Sequence, residues 1–129
     1  MKRLLALDDN LDSGELIARI ATQSGYESRA ISDSRQLPEL LRTWKPDVIS
    51  LDLCMPEEDG IVVLSTLQEA GFAGELVIVS GQDSWLRQSA SRLAVARGIK
   101  VTADFAKPLD VSAFKSFLKS PSTGPASAS

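Results

Sequence analysis

Three aspartates at the ends of apolar runs are the residues best equipped for chemistry. Asp8 and Asp9 follow Leu4-Leu5-Ala6-Leu7, and Asp52 follows Val48-Ile49-Ser50-Leu51. Two further polar groups sit the same way. Ser80, with Gly81 behind it, ends the run Leu76 to Val79, and Lys107-Pro108 follows the run Lys100 to Phe105. Carboxylates brought together repel, so a hard divalent cation is their natural partner. Mg²⁺ takes oxygen ligands and keeps several of its waters. A carboxylate can attack phosphorus, a hydroxyl can donate to a phosphoryl oxygen, and an ammonium can pair with another. Taken singly, each residue has a plainer reading: a solvated loop aspartate, a turn serine, a surface lysine. Their value depends on whether the chain brings them to one place.

The elements that would do so are legible. Leu4–Leu7, Val48–Leu51 and Leu76–Val79 are continuous apolar runs, the pattern of strands buried on both faces. Tyr26–Ile31 and Lys100–Phe105 are more polar and suit sheet edges. The second of these alternates, which predicts Val101, Ala103 and Phe105 on one face and Thr102 and Asp104 on the other. Between the runs lie helix-period stripes. These are Leu16, Ile17, Ile20 and Ala21; Leu37, Leu40, Leu41 and Trp44; Leu64 and Leu67; Leu86, Ala90, Leu93 and Ala94; and Val111, Phe114, Phe117 and Leu118. Gly25, Gly71 and Gly98 fall at expected helix C-termini, and Asp33, Asp83 and Asp110 at expected N-caps. Pro38 lies near the start of the second helix, where a missing N–H costs least.

Five β-α units predict a three-layer α/β fold, (βα)5, with a doubly wound parallel sheet of flavodoxin-like type. Three continuous runs between two half-polar ones fit the strand order 2-1-3-4-5. Such sheets bind ligands at the carboxyl ends of their strands, at the switch point between strands 1 and 3. Asp8, Asp9 and Asp52 belong there.

Composition narrows the chemistry further. The 129 residues suffice for one domain, and the net charge of −3 argues against a general polyanion binder. There is no histidine, so a Ser-His-Asp triad and a His-ligated zinc are excluded. One cysteine, Cys54, excludes an internal disulfide and weakly favours a reducing compartment. No apolar stretch reaches the ~20 residues of a membrane span. The cytoplasm is the expected location. Residues 1–119 form the expected domain. Residues 120–129, rich in Ser, Pro and Ala, read as a flexible tail or the start of a linker.

The chain resembles the receiver domain of bacterial two-component response regulators, over roughly residues 2–119. The resemblance rests on Leu7-Asp8-Asp9, on Asp52-Leu-Cys-Met-Pro-Glu-Glu-Asp-Gly60, on Ser80-Gly81 and on Lys107-Pro108, each after the right strand. It implies that Asp52 accepts a phosphoryl group from a histidine kinase or phosphotransfer protein. It implies Mg²⁺, with Mn²⁺ as a substitute, held by Asp9, Asp52 and the Cys54 backbone carbonyl, with Asp8 acting through water. Ser80 would be the switch hydroxyl and Lys107 the phosphate-pairing lysine. The Lys107-Pro108 bond is expected to be cis. Met55, Pro56, Gly60 and Gly81 would shape the loops, and Cys54 and Gln82 would tune phosphoryl lifetime. Trp85 is expected to pack near Ser80. No enzymatic turnover of an external substrate is implied, only self-phosphorylation and its reversal. Direct nucleic-acid or membrane contact is not expected. Partners would be a phosphodonor, a downstream effector or an output domain beyond Ser129, and a homodimer through helix 4, strand 5 and helix 5.

One position departs from the family. An aromatic residue is usual three before the lysine, and here that position is Asp104; Phe105, one later, is the candidate substitute. This puts the output surface of helix 4, strand 5 and helix 5 in question. Three other readings compete. A phosphohydrolase of the haloacid-dehalogenase type would place Asp-x-Asp, not adjacent aspartates, after strand 1. A flavin binder would want a Ser/Thr/Gly phosphate loop in place of Asp8-Asp9-Asn10. A receiver-fold docking module would work without phosphate.

Overall fold

The computed structural model describes residues 2–52, 57–81 and 84–119. Five strands and five helices alternate: β1 (Arg3–Leu7), α1 (Leu11–Gln23), β2 (Glu27–Ile31), α2 (Leu37–Thr43), β3 (Val48–Asp52), α3 (Glu57–Glu69), β4 (Glu75–Ser80), α4 (Ser84–Ala96), β5 (Lys100–Ala106) and α5 (Val111–Lys119). All strand pairs are parallel, in the order β2-β1-β3-β4-β5. The expected topology and the three internal strands are therefore observed. Every residue of β3 is buried, whereas the edge strands β2 and β5 alternate with solvent.

The sheet separates two cores. On one face Leu5, Leu7, Ile49, Leu51, Leu76 and Ile78 meet α2, α3 and α4 through Leu37, Val63, Leu64, Leu67 and Ala94. On the other, Leu4, Ala6, Val48, Val77 and Val79 meet α1 and α5 through Ile17, Ile20, Phe114 and Leu118. Period-2 alternation along β1, β3 and β4 assigns these residues to the two faces. Asn10 caps α1 by accepting from Ser13 N–H at 3.2 Å, and Asp110 caps α5 by accepting from Ala113 N–H at 3.0 Å. Asp33 caps a short 3₁₀ turn, Ser34–Gln36, and α2 starts only after it, with Pro38 in its first turn. Gly25, Gly71 and Gly98 all have positive φ, the left-handed conformation that ends a helix cheaply only with glycine.

Three sequence expectations need correction. Leu16 is 43% exposed and Val111 is 40% exposed, so neither belongs to its buried stripe. The α1 stripe buries Gly14, Ile17, Ile20 and Ala21, and α5 buries only Phe114 and Leu118 fully. Both exposed residues lie just beyond the arc that the sheet covers. The third correction concerns β5. Leu76 pairs with Val101, but Val77 pairs with Ala103, so Thr102 is an extra residue in the strand. This irregularity breaks the period-2 rule. Val101 packs with the α2-α3-α4 core, while Ala103 and Phe105 pack with the α1-α5 core. The Asp83 cap, the Trp85 and Leu86 side chains and the 120–129 tail lie outside what the structure describes.

Gly74 carries a testable constraint. A Cβ there would collide with the carbonyl oxygen of Asp47 and with the Phe72 ring. That carbonyl also accepts from Glu75 N–H at 2.9 Å, so it is not free to retreat. Gly74→Ala is expected to cost roughly 2 kcal/mol. A urea-unfolding midpoint measures it, and Gly60→Ala, where a Cβ meets nothing within 4 Å, serves as the control for added bulk.

Candidate functional site

Parallel strands put their carboxyl ends on one edge, so the chain delivers its polar groups there together. Asp8 follows β1 and Asp52 ends β3; β1 and β3 are direct neighbours. Ser80 ends β4, beside Asp52's partner Val79. Lys107 follows β5, and its backbone N–H donates to Ser80 C=O at 2.6 Å. Asp8, Asp9 and Asp52 each offer a carboxylate oxygen, and these atoms lie within 4.8 Å of one another. Asp8 and Asp52 are each 1% exposed, and Asp9 is open to solvent. Lys107 Nζ stands 3.4 Å from Asp8 Oδ2 and 3.3 Å from Asp52 Oδ1. The ammonium therefore bridges two buried carboxylates.

Burial, then Asp52, pushes the Asp8 carboxyl up to about 6. The Asn10 N–H, donating to Asp8 Oδ1 at 2.9 Å, and the Lys107 charge pull the other way without cancelling it. The site thus holds more negative charge than its own lysine compensates. Ser80 is fully buried, and its hydroxyl donates to Gly81 C=O at 3.2 Å. The Lys107-Pro108 peptide is cis.

Sequence reasoning missed two residues that shape the site. Asn10 both caps α1 and tethers Asp8. Gly14 lets α1 approach: a Cβ there would lie 3.4 Å from Asp8 Cβ and 3.5 Å from Ala30 Cβ. The signal was the run Asp-Asp-Asn four residues before a helical glycine. Cys54, Met55, Pro56 and Gln82 lie outside the described residues, while Gly60 sits in the first turn of α3 and Gly81 just after β4.

Phe105 and Asp104 fall on opposite faces of β5. The Phe105 ring packs edge-on against Phe114 at 5.2 Å and Phe117 at 5.8 Å, under α5. Asp104 pairs with Ile78, on the α4 side shared with Ser80, and is exposed. Phe105 therefore does not stand in for an aromatic residue at Asp104.

Comparison with known proteins agrees with this geometry. Residues 4–114 match the family model described as Response regulator receiver domain. The chain belongs to that family. A response regulator from Colwellia psychrerythraea has the same fold, with a TM-score of 0.81, 31% identity, and 91% of this chain and 93% of that one covered. Regulatory protein VirG of Rhizobium rhizogenes is 29% identical over 114 residues, 88% of this chain and 45% of its own length. Response regulator MprA of Mycolicibacterium vanbaalenii is 29% identical over 82 residues, 64% of this chain and 36% of its own. The receiver therefore spans less than half the length of these two relatives. Among the described residues, no helix is long and apolar enough to cross a membrane.

Proposed function

We propose that this receiver accepts a phosphoryl group on Asp52 and signals by a shift between two conformations. The observation that carries the reading is the bridging lysine: one ammonium within 3.4 Å of two buried carboxylates. A carboxylate oxygen of Asp52 attacks phosphorus, an Oδ–P bond forms, and the bond from phosphorus to the donor breaks. The carboxylate has no proton to lose, so no general base is needed, in keeping with a chain without histidine. Lys107 Nζ is placed to exchange a carboxylate for a phosphoryl oxygen. The Ser80 hydroxyl would turn from Gly81 C=O to donate to another.

The three-carboxylate cluster fits Mg²⁺: its donors are all hard oxygens, and its negative charge is undercompensated. Asp9 and Asp52 would ligate directly and Asp8 through water, with Mn²⁺ as a substitute. Bound there, the ion would neutralise charge on the phosphoryl oxygens and the carboxylates. The phosphodonor would be a histidine kinase or a phosphotransfer protein in the cytoplasm. Leu11 and Val111, exposed on the first turns of α1 and α5, offer it apolar contact. The chain itself is the acceptor, so we do not read it as an enzyme.

Intact mass after incubation with Mg²⁺ and acetyl phosphate tests this. One added phosphate in the parent and none in Asp52→Asn is the expected result. No adduct in the parent, with the protein folded by circular dichroism, would leave the receiver fold but remove the phosphoacceptor role.

A further inference from the structure

β2 is an edge strand, and among the described residues no chain pairs with its outer side. The ladder to β1 fixes which backbone groups point outward. Glu27 N–H donates to Lys2 C=O at 2.9 Å, and Ile31 C=O accepts from Asp8 N–H at 3.1 Å. In a parallel pair the same alternate residues carry both bonds, so Glu27, Arg29 and Ile31 face β1. The N–H and C=O groups of Ser28 and Ala30 therefore point away from the sheet. β5, the other edge, carries the extra Thr102, and such an irregularity twists an edge out of line. β2 keeps one register with β1 from Glu27 to Ile31. Glu27 and Arg29 share one face of β2, and both are exposed. Glu27 pairs with Arg3 at 2.9 Å. Arg29 lies 5.1 Å over the Trp44 ring, but among the described residues it is in no ion pair, whereas Arg3, Arg35 and Arg42 each are.

We propose that β2 pairs antiparallel with β2 of a second copy of this chain, about a two-fold axis through Ser28, joining the two sheets edge to edge. Ser28 would exchange both backbone bonds with Ser28 of the second copy, and Ala30 N–H would donate to the C=O of Tyr26 there. Tyr26 N–H is already held by Ala21 C=O at 3.0 Å, which ends the new ladder. Glu27 then stands opposite Arg29 of the second copy, and Arg29 opposite Glu27, at the positions where side chains come closest. Charge selects this register. An axis through Arg29 would oppose Arg29 to itself, and one through Ala30 would oppose it to Ile31. A two-fold interface presents the same strip twice, so an acid and a base two residues apart on one face make the strip complementary to itself. The β2 edge lies across the sheet from β5. The inference does not rest on the phosphoryl chemistry at Asp52.

Sedimentation velocity of the whole chain over a concentration series, without phosphodonor, tests this beside Arg29→Glu and Glu27→Arg. The parent is expected to show a reversible equilibrium between monomer and dimer. Either variant alone opposes like charges at both pairs and is expected to weaken the dimer about tenfold. Mixed in equal amounts, the two variants are complementary at both pairs, and a heterodimer about as strong as the parent dimer is expected. Circular dichroism checks that each variant is folded. If one is not, Ala30→Pro replaces it, since it removes an outward N–H and no bond to β1. A parent that stays monomeric up to about 1 mM would overturn the proposal. So would a dimer that both variants form as well as the parent, or a mixture that gains no heterodimer. A dimer lost in Lys100→Glu and kept in Arg29→Glu would place the contact on β5 and overturn it too. The Asp52 mass experiment reads a different property, so failure of either leaves the other interpretable.

Discussion

Asp8→Asn is expected to stabilise the protein in EDTA at neutral pH. Folded Asp8 holds its proton up to about 6, against 3.8 for an ordinary aspartate, because burial and Asp52 oppose its charge. Between those values the folded state binds more protons than the unfolded chain. Stability attributable to Asp8 is therefore complete below about pH 4, falls as pH rises toward about 6, and stays low above it. A two-unit displacement corresponds to about 3 kcal/mol. Asparagine keeps an oxygen for the Asn10 N–H but gives up the charge facing Lys107. That loss offsets part of the gain, leaving roughly 1–2 kcal/mol near pH 7. The stabilisation of variant over parent should vanish at about pH 3, where the parent's Asp8 is largely neutral in both states. Urea unfolding of both proteins at the two pH values measures it. With Mg²⁺ added the ranking should reverse, because the parent gains binding energy that the variant has weakened. An equal difference between variant and parent at both pH values would show that Asp8 is not the strained carboxylate.

Phe114→Ala should be the most damaging single truncation on the α1-α5 side. Phe114 is fully buried and meets β strands through Val77 and Val79 and the rings of Phe105 and Phe117. The α5 helix has only nine residues. A helix so short is not stable alone and depends on the face that it buries. Removing the ring loses transfer energy and leaves a cavity, for a cost of about 3–5 kcal/mol. Against a typical total of about 5–15 kcal/mol, that leaves a marginal fold. Val111→Ala, on the same helix but exposed, should cost under about 0.5 kcal/mol. Denaturation midpoints for the two variants give the contrast. Similar losses would mean that α5 is not held chiefly by its Phe114 face.

Much of the architecture was legible because it depends on local pattern. Continuous apolar runs at Leu4–Leu7, Val48–Leu51 and Leu76–Val79 mark strands buried on both faces, and the two half-polar runs mark edges. Glycines at positions 25, 71 and 98 end helices where the periodicity ends. Given that order, the place of Asp8, Asp52, Ser80 and Lys107 at one sheet edge follows from parallel topology alone. Where the reading failed, it failed on facts that no local window contains. Leu16 and Val111 fit their helical stripes, but the arc of each helix that the sheet covers depends on docking angle. Thr102 looks like an ordinary alternating residue, yet it is the extra residue in β5's register against β4. That slip put Val101 and Phe105 on opposite faces.

The sequence by itself determined the fold order, the identity of the polar groups and the edge where they meet, since these follow from hydrophobic period and chain direction. Only the tertiary structure decided how those groups interact. The bridging of Asp8 and Asp52 by Lys107, the raised Asp8 carboxyl, the close approach of Gly14 and the capture of Phe105 by α5 are distances between residues far apart in the chain. Electrostatic and packing energies depend on those distances, and composition and spacing do not specify them.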